Sequence, residues 1–160
     1  NGSKVGINTH LTNKIFLNGL KNNFVKEFGK NIEIKPEVKF NDKTRFDFLI
    51  TKKNYKAFVE VKNVTLVRNS KIAEFPDAVT TRGAKHINQL LKASRQGYNI
   101  FIAFVIQRED CDHFTIASDI DPEYSKLLSN AVKKKLNIIC YDCKFSLKGI
   151  KLNKPIKYKI

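Results

Sequence analysis

The chain has no methionine and no tryptophan, and only three cysteines. With no methionine even at position 1, it reads as a piece or processed product of a longer protein. Residues 1–7 are expected to be a linker or remnant and residues 8–160 a domain. An odd number of cysteines argues against a disulfide framework. No apolar run reaches transmembrane length, and no basic segment leads into an apolar core at the start. A soluble, cytoplasmic protein is therefore expected, with no membrane partner. Acidic residues are scarce as well: 15 Asp and Glu stand against 30 Lys and Arg, giving +15. Such an excess attracts polyanions, DNA foremost. Lys, Asn and Ile are also the residues that AT-rich coding favours, so part of the excess can be compositional. At 160 residues the chain has the length of one domain with a proper core.

The most informative stretch is 45–62. Two runs rich in Phe, Ile and Val, 46–50 and 57–61, flank the polar segment 51–54, which predicts a hairpin turning at Lys53-Asn54. Folding symmetrically about that turn sets Leu49 opposite Phe58, Asp47 opposite Glu60 and Arg45 opposite Lys62. One face then collects Phe46, Phe48, Ile50, Ala57, Val59 and Val61, and the other Arg45, Asp47, Glu60 and Lys62. The preceding run, 32–40, alternates in the same way, and a turn at 41–43 would bring Glu37 opposite Asp47. Three carboxylates would lie side by side.

Like charges placed opposite each other destabilise a sheet, so this row needs a cation. Either Lys39, Arg45 and Lys62 neutralise it diagonally on a solvated face, or a metal ion does. A hard divalent ion such as Mg2+ (or Mn2+) takes one or two carboxylates and keeps several waters. Asp47 and Glu60 could provide the carboxylates, and Lys62 could hold or deprotonate an attacking water. That is a minimal set for metal-assisted phosphodiester hydrolysis.

Along the rest of the chain, apolar spacings of three and four predict a helix over 8–28, capped by Asn8 or Thr9 and stopped by Gly29. Periodicity fades over 63–82, apart from a possible short strand at 64–67. Thr80 or Thr81 then caps a helix to about Gln96. Its first turn carries Arg82 and Lys85, where a bound phosphate would be favoured. The run 99–106 is apolar throughout, as in a strand covered on both faces. Residues 108–119 read as irregular. Asp121-Pro122 opens a further helix, 137–141 is a second buried strand, and the last twenty residues read as short edge strands. This order implies an α/β fold, a mixed central sheet flanked by helices. Cys140 and Cys143, with Cys111 and His113, are either a zinc set or ordinary apolar and surface residues.

Several of these blocks resemble the C-terminal domain of the sugar fermentation stimulation protein A family. They are 8–13, 37–39, 45–47, 60–66, 75–80, 82–86 and 120–124, which include Glu60-Val61-Lys62, Phe75-Pro76-Asp77 and Arg82-Gly83-Ala84-Lys85-His86. The resemblance implies a PD-(D/E)XK restriction-endonuclease-like domain. In it Asp47 and Glu60 would hold the metal, with Glu37 as an accessory acid, and Lys62 would complete the catalytic set. Lys39, Arg45, Arg82, Lys85 and His86 would contact nucleic acid, with Asp77 bordering the cleft. The family carries an OB-like N-terminal domain that this chain does not include. It is described chiefly as DNA-binding and linked to control of sugar metabolism. Two outcomes are thereby implied: Mg2+-dependent DNA hydrolysis, or DNA-binding regulation without turnover.

Overall fold

The computed structural model describes residues 5, 6 and 10–160. The candidate caps Asn8 and Thr9 lie outside the described residues. The described residues form two sheets. The larger has six strands in the order β1-β2-β3-β6-β8-β9 and the smaller has four, β10-β7-β5-β4.

The first three strands, β1 (Glu33–Asn41), β2 (Thr44–Lys52) and β3 (Tyr55–Val64), form the expected meander. β2 and β3 pair with Leu49 opposite Phe58 and turn at Lys53-Asn54, with Lys53 at φ 49°. β3 then pairs in parallel with β6 (Asn99–Ile106), and β6 in parallel with β8 (Leu136–Ser146). β6 is buried from Ile100 through Ile106, as its unbroken apolar run requires of a strand covered on both faces. The antiparallel β9 (Gly149–Pro155) closes the far edge.

On one face lies α1 (His10–Lys21), whose Ile15, Phe16 and Leu20 pack with Phe48, Ile50, Val59, Val61 and Val105. The other face carries α2 (Thr81–Arg95), α3 (Pro122–Lys133) and the small sheet, whose Ile87, Leu90, Tyr124, Leu128, Ala73 and Phe114 pack with Phe58, Ile102 and Phe104. α1 ends at Lys21, well short of the expected Phe28. Asn23 turns left-handed at φ 54°, and the amides of Asn23 and Phe24 cap the carbonyls of Leu20 and Gly19. The apolar spacing continues past the helix because Val25 and Phe28 reach the same core from a short 3-10 turn.

The small sheet was not expected. It consists of β4 (Leu66–Asn69), β5 (Ile72–Phe75), β7 (His113–Ile116) and β10 (Lys157–Lys159). The stretch 108–119, read as irregular, therefore supplies a strand. β5 and β10 both pair in parallel with β7, so its hydrogen bonds come from distant parts of the chain.

The N-termini of α2 and α3 are joined. Asp121 accepts from the Tyr124 amide at 2.9 Å, which caps α3, and from the Thr80 amide at 2.8 Å. Thr80 in turn caps α2 by accepting from the Gly83 amide at 3.0 Å. A Cβ on Gly83 would lie 2.7 Å from Thr80 Oγ1 and 3.0 Å from Tyr124 Cε2. Alanine usually stabilises a helix interior by ~1 kcal/mol over glycine. Here overpacking reverses the sign: Gly83→Ala is expected to lower stability by ~1–3 kcal/mol in a urea titration, and a more stable variant would contradict this close approach.

Candidate active site

β3 presents Glu60 and Lys62 on the face that α2 covers. Glu60 is only 3 % exposed, which excludes the solvated-face reading of this carboxylate. Two donors meet its Oε1: Lys62 Nζ at 2.8 Å and His86 Nδ1 from the second turn of α2. Oε2 is buried with no hydrogen-bond partner among the described residues. Burial opposes the charge on Glu60, but the bonds and charges of His86 and Lys62 outweigh it and hold the carboxyl below its ordinary range.

Asp47 reaches the site by a different route from the one expected. The β2–β3 ladder begins at Phe48 and Val59, so Asp47 and Glu60 do not face each other as a pair. Instead Asp47 Oδ2 accepts from the Val61 amide at 2.7 Å, replacing a backbone rung, and Oδ1 accepts from Asn13 Nδ2 of α1 at 2.8 Å. The β1–β2 ladder likewise pairs Pro36 with Phe48 and Val38 with Phe46, leaving Glu37 and Asp47 unpaired between them. Glu37 sits there at φ 53° and is exposed. Pairing lapses at these two residues, and the clean division of faces fails at Phe46. Phe46 joins the α2-side core beside Phe58, ring centroids 4.8 Å apart, while Phe48 stays on the α1 side.

Burial pushes the Asp47 carboxyl up to about 6, and the charge of Glu60 adds to the shift against the bonds from Val61 and Asn13. Two carboxylates, one held ionised and one raised by burial and by its neighbour's charge, form a donor set that fits a divalent cation. The buried, unpartnered Oε2 is a ready oxygen for one. Among the described residues no group of three or more His, Cys, Asp or Glu side chains is placed to hold a metal, so Glu37 adds no third ligand. The same observation removes the zinc reading. Cys140 and Cys143 are three apart on β8 and enter opposite cores, as strand alternation dictates, while His113 is exposed on β7.

Of the expected nucleic-acid contacts, Arg45, Arg82 and Lys85 are exposed, as is Asp77, and Lys39 pairs with Asp42 at 2.7 Å. Asn41 Nδ2 donates to Gln89 Oε1 at 3.0 Å, which brings the β1–β2 turn against α2. Asn13 had no assigned role in the site. Its signal was the polar pair Thr12-Asn13 beside the apolar stripe of α1, with Thr12 at core spacing from Ile15 and Phe16. Thr12 Oγ1 indeed accepts from buried Gln107 at 2.8 Å.

A family model described as the sugar fermentation stimulation protein RE domain matches residues 10–149. The chain belongs to this sugar fermentation stimulation protein family. The homologue from Pelagibacter ubique is 53 % identical over 153 residues, covering 96 % of this chain and 66 % of that protein. The Histophilus somni (strain 2336) homologue is 42 % identical over 147 residues, covering 91 % of this chain and 61 % of that protein. This member thus spans a little under two thirds of the length of those relatives. The structure of Pyrococcus furiosus SfsA in complex with Ca2+ superposes on 99 % of the chain and 68 % of that protein, with a TM-score of 0.90 at 27 % identity. The family's mixed α/β architecture, sheets flanked by helices, is therefore the fold seen here. Among the described residues no helix is long and apolar enough to cross a membrane.

Because folding raises the Asp47 carboxyl from the ordinary 3.8 to about 6, the folded chain binds this proton more tightly than the unfolded chain. Its contribution to stability is full below about pH 4 and is lost as pH rises through about 6. In EDTA, urea titrations should show the native protein losing ~2 kcal/mol across this window relative to Asp47→Asn. Equal pH dependence in the two proteins would contradict the environment described.

Proposed function

We propose that this domain hydrolyses phosphodiester bonds of DNA with Mg2+ or Mn2+, in the manner of PD-(D/E)XK nucleases. Asp47 and Glu60 hold the cation, which when bound supplies Lewis-acid polarisation of a phosphoryl oxygen and an acidified water. Lys62 shares the Glu60 carboxylate and orients or deprotonates the attacking water. Arg45, two residues before Asp47 on β2, and Arg82 and Lys85, ahead of His86 on α2, are exposed and hold the DNA backbone. The observation that carries this reading is the buried Glu60–Lys62 pair with one carboxylate oxygen unused, beside a second carboxylate that Glu60 perturbs. The Ca2+ in the Pyrococcus furiosus relative agrees with a hard, oxygen-seeking divalent site.

One observation favours binding without turnover: Lys62 is committed to Glu60 at 2.8 Å, and no third carboxylate relieves it. In that reading the fold and charge serve regulation of sugar-metabolism genes.

Plasmid and single-stranded DNA incubated with Mg2+, Mn2+ or EDTA decide between the two. The test should use this chain and also the full-length Pelagibacter ubique relative. Cleavage that requires the metal and falls at least ~100-fold in Glu60→Ala and in Lys62→Ala is expected. Cleavage surviving in EDTA or in both variants would sink the nuclease reading. Binding that weakens steeply with salt, with no cleavage by either protein, would establish the regulatory one.

A further inference from the structure

We infer that His86 is a positioning residue of the cation site: through Nδ1 it fixes Glu60 so that Oε1 is occupied and Oε2 is the oxygen turned to the cation. This rests on the reading that Asp47 and Glu60 hold a divalent ion.

The two donors on Oε1 are unequal in rigidity. Lys62 lies two residues from Glu60 on β3 and carries a flexible four-carbon stem. His86 is presented by α2, a helix held at its start by the Thr80 cap and the close approach of Gly83 to Tyr124. Immediately after His86, Ile87 and Leu90 are both fully buried in the core. The imidazole therefore has a defined place, and its side chain is only 11 % exposed.

Glu60 is held as a carboxylate, which can only accept, so His86 Nδ1–H donates. Engaged on Glu60 and largely buried, His86 is placed to support that carboxylate rather than to hold the DNA backbone. Its consequence for the reaction is division of labour. When Lys62 turns to water or phosphate, His86 keeps the Glu60 carboxylate from rotating, and Oε2 stays presented.

Calorimetric titration of the chain with Mn2+ alone tests this without relying on turnover. His86→Leu removes the donor, and its Mn2+ affinity is expected to fall by ~10–100-fold. His86→Asn, whose amide nitrogen takes the position of Nδ1, is expected to bind within about threefold of the native protein. Melting curves establish that each variant folds. If His86→Leu does not, His86→Gln, which moves the donor to the Nε2 position, replaces it and is expected to weaken binding too. Native affinity in His86→Leu or His86→Gln, or equal weakening in His86→Asn and His86→Leu, would overturn the proposal. If the native chain binds no Mn2+, or Asp47→Ala leaves its binding unchanged, the cation site itself falls, and the role of His86 with it.

Discussion

Glu60 is a carboxylate taken almost wholly out of water, and most of the architecture on the α2 side follows from keeping it ionised. Removing an ion from solvent costs several kcal/mol unless partners are supplied at good geometry. β3 supplies one partner, Lys62, from its own face, and α2 supplies the other, His86. That second partner makes the position of α2 a condition of the site. The clasp of Asp121 on Thr80, the cap of Thr80 on Gly83 and the absence of a Cβ at Gly83 all bear on where α2 starts. Tyr124 lies behind them, fully buried, its hydroxyl pushed upward by burial and by the charges of Glu60 and Asp121.

The second carboxylate is placed by the opposite face. Asp47 takes its hydrogen bonds from the Val61 amide and from Asn13 on α1, so each of the two acids is oriented from a different side of the sheet. Strand pairing lapses at Glu37 and Asp47, and past that lapse Phe46 lies on the α2 side. A regular hairpin would have set the two acids directly opposite, the arrangement that strand pairing disfavours. The ladder instead starts one residue later, at Phe48 and Val59, and Glu60 still perturbs Asp47. Exposed Arg45 on β2 and Arg82 at the start of α2 add positive charge suited to a polyanion.

What could be read from residues alone was local. Turn chemistry at Lys53-Asn54 set the hairpin register, unbroken apolarity marked β6, and Thr80 and Asp121-Pro122 marked the starts of two helices. The E-x-K spacing put Glu60 and Lys62 on one face because strand alternation guarantees it. The rest was not local. The small sheet is built from strands of three or four residues that pair across the chain, so no periodicity announces them. Phe46 departs from the alternation rule at a lapse in pairing that no residue type advertises. His86 looked like one more basic residue in the first turns of α2, and only the packing of that helix on β3 shows that it meets Glu60.

The central claim is that Glu60 Oε2 and Asp47 together form a cation site. A crystal of the chain soaked in Mn2+ and measured at the manganese absorption edge tests it directly. The account predicts an anomalous peak in contact with Glu60 Oε2 and an Asp47 oxygen, with Lys62 and His86 still on Oε1. A map with manganese elsewhere, or with none while Oε2 stays bare, would contradict it.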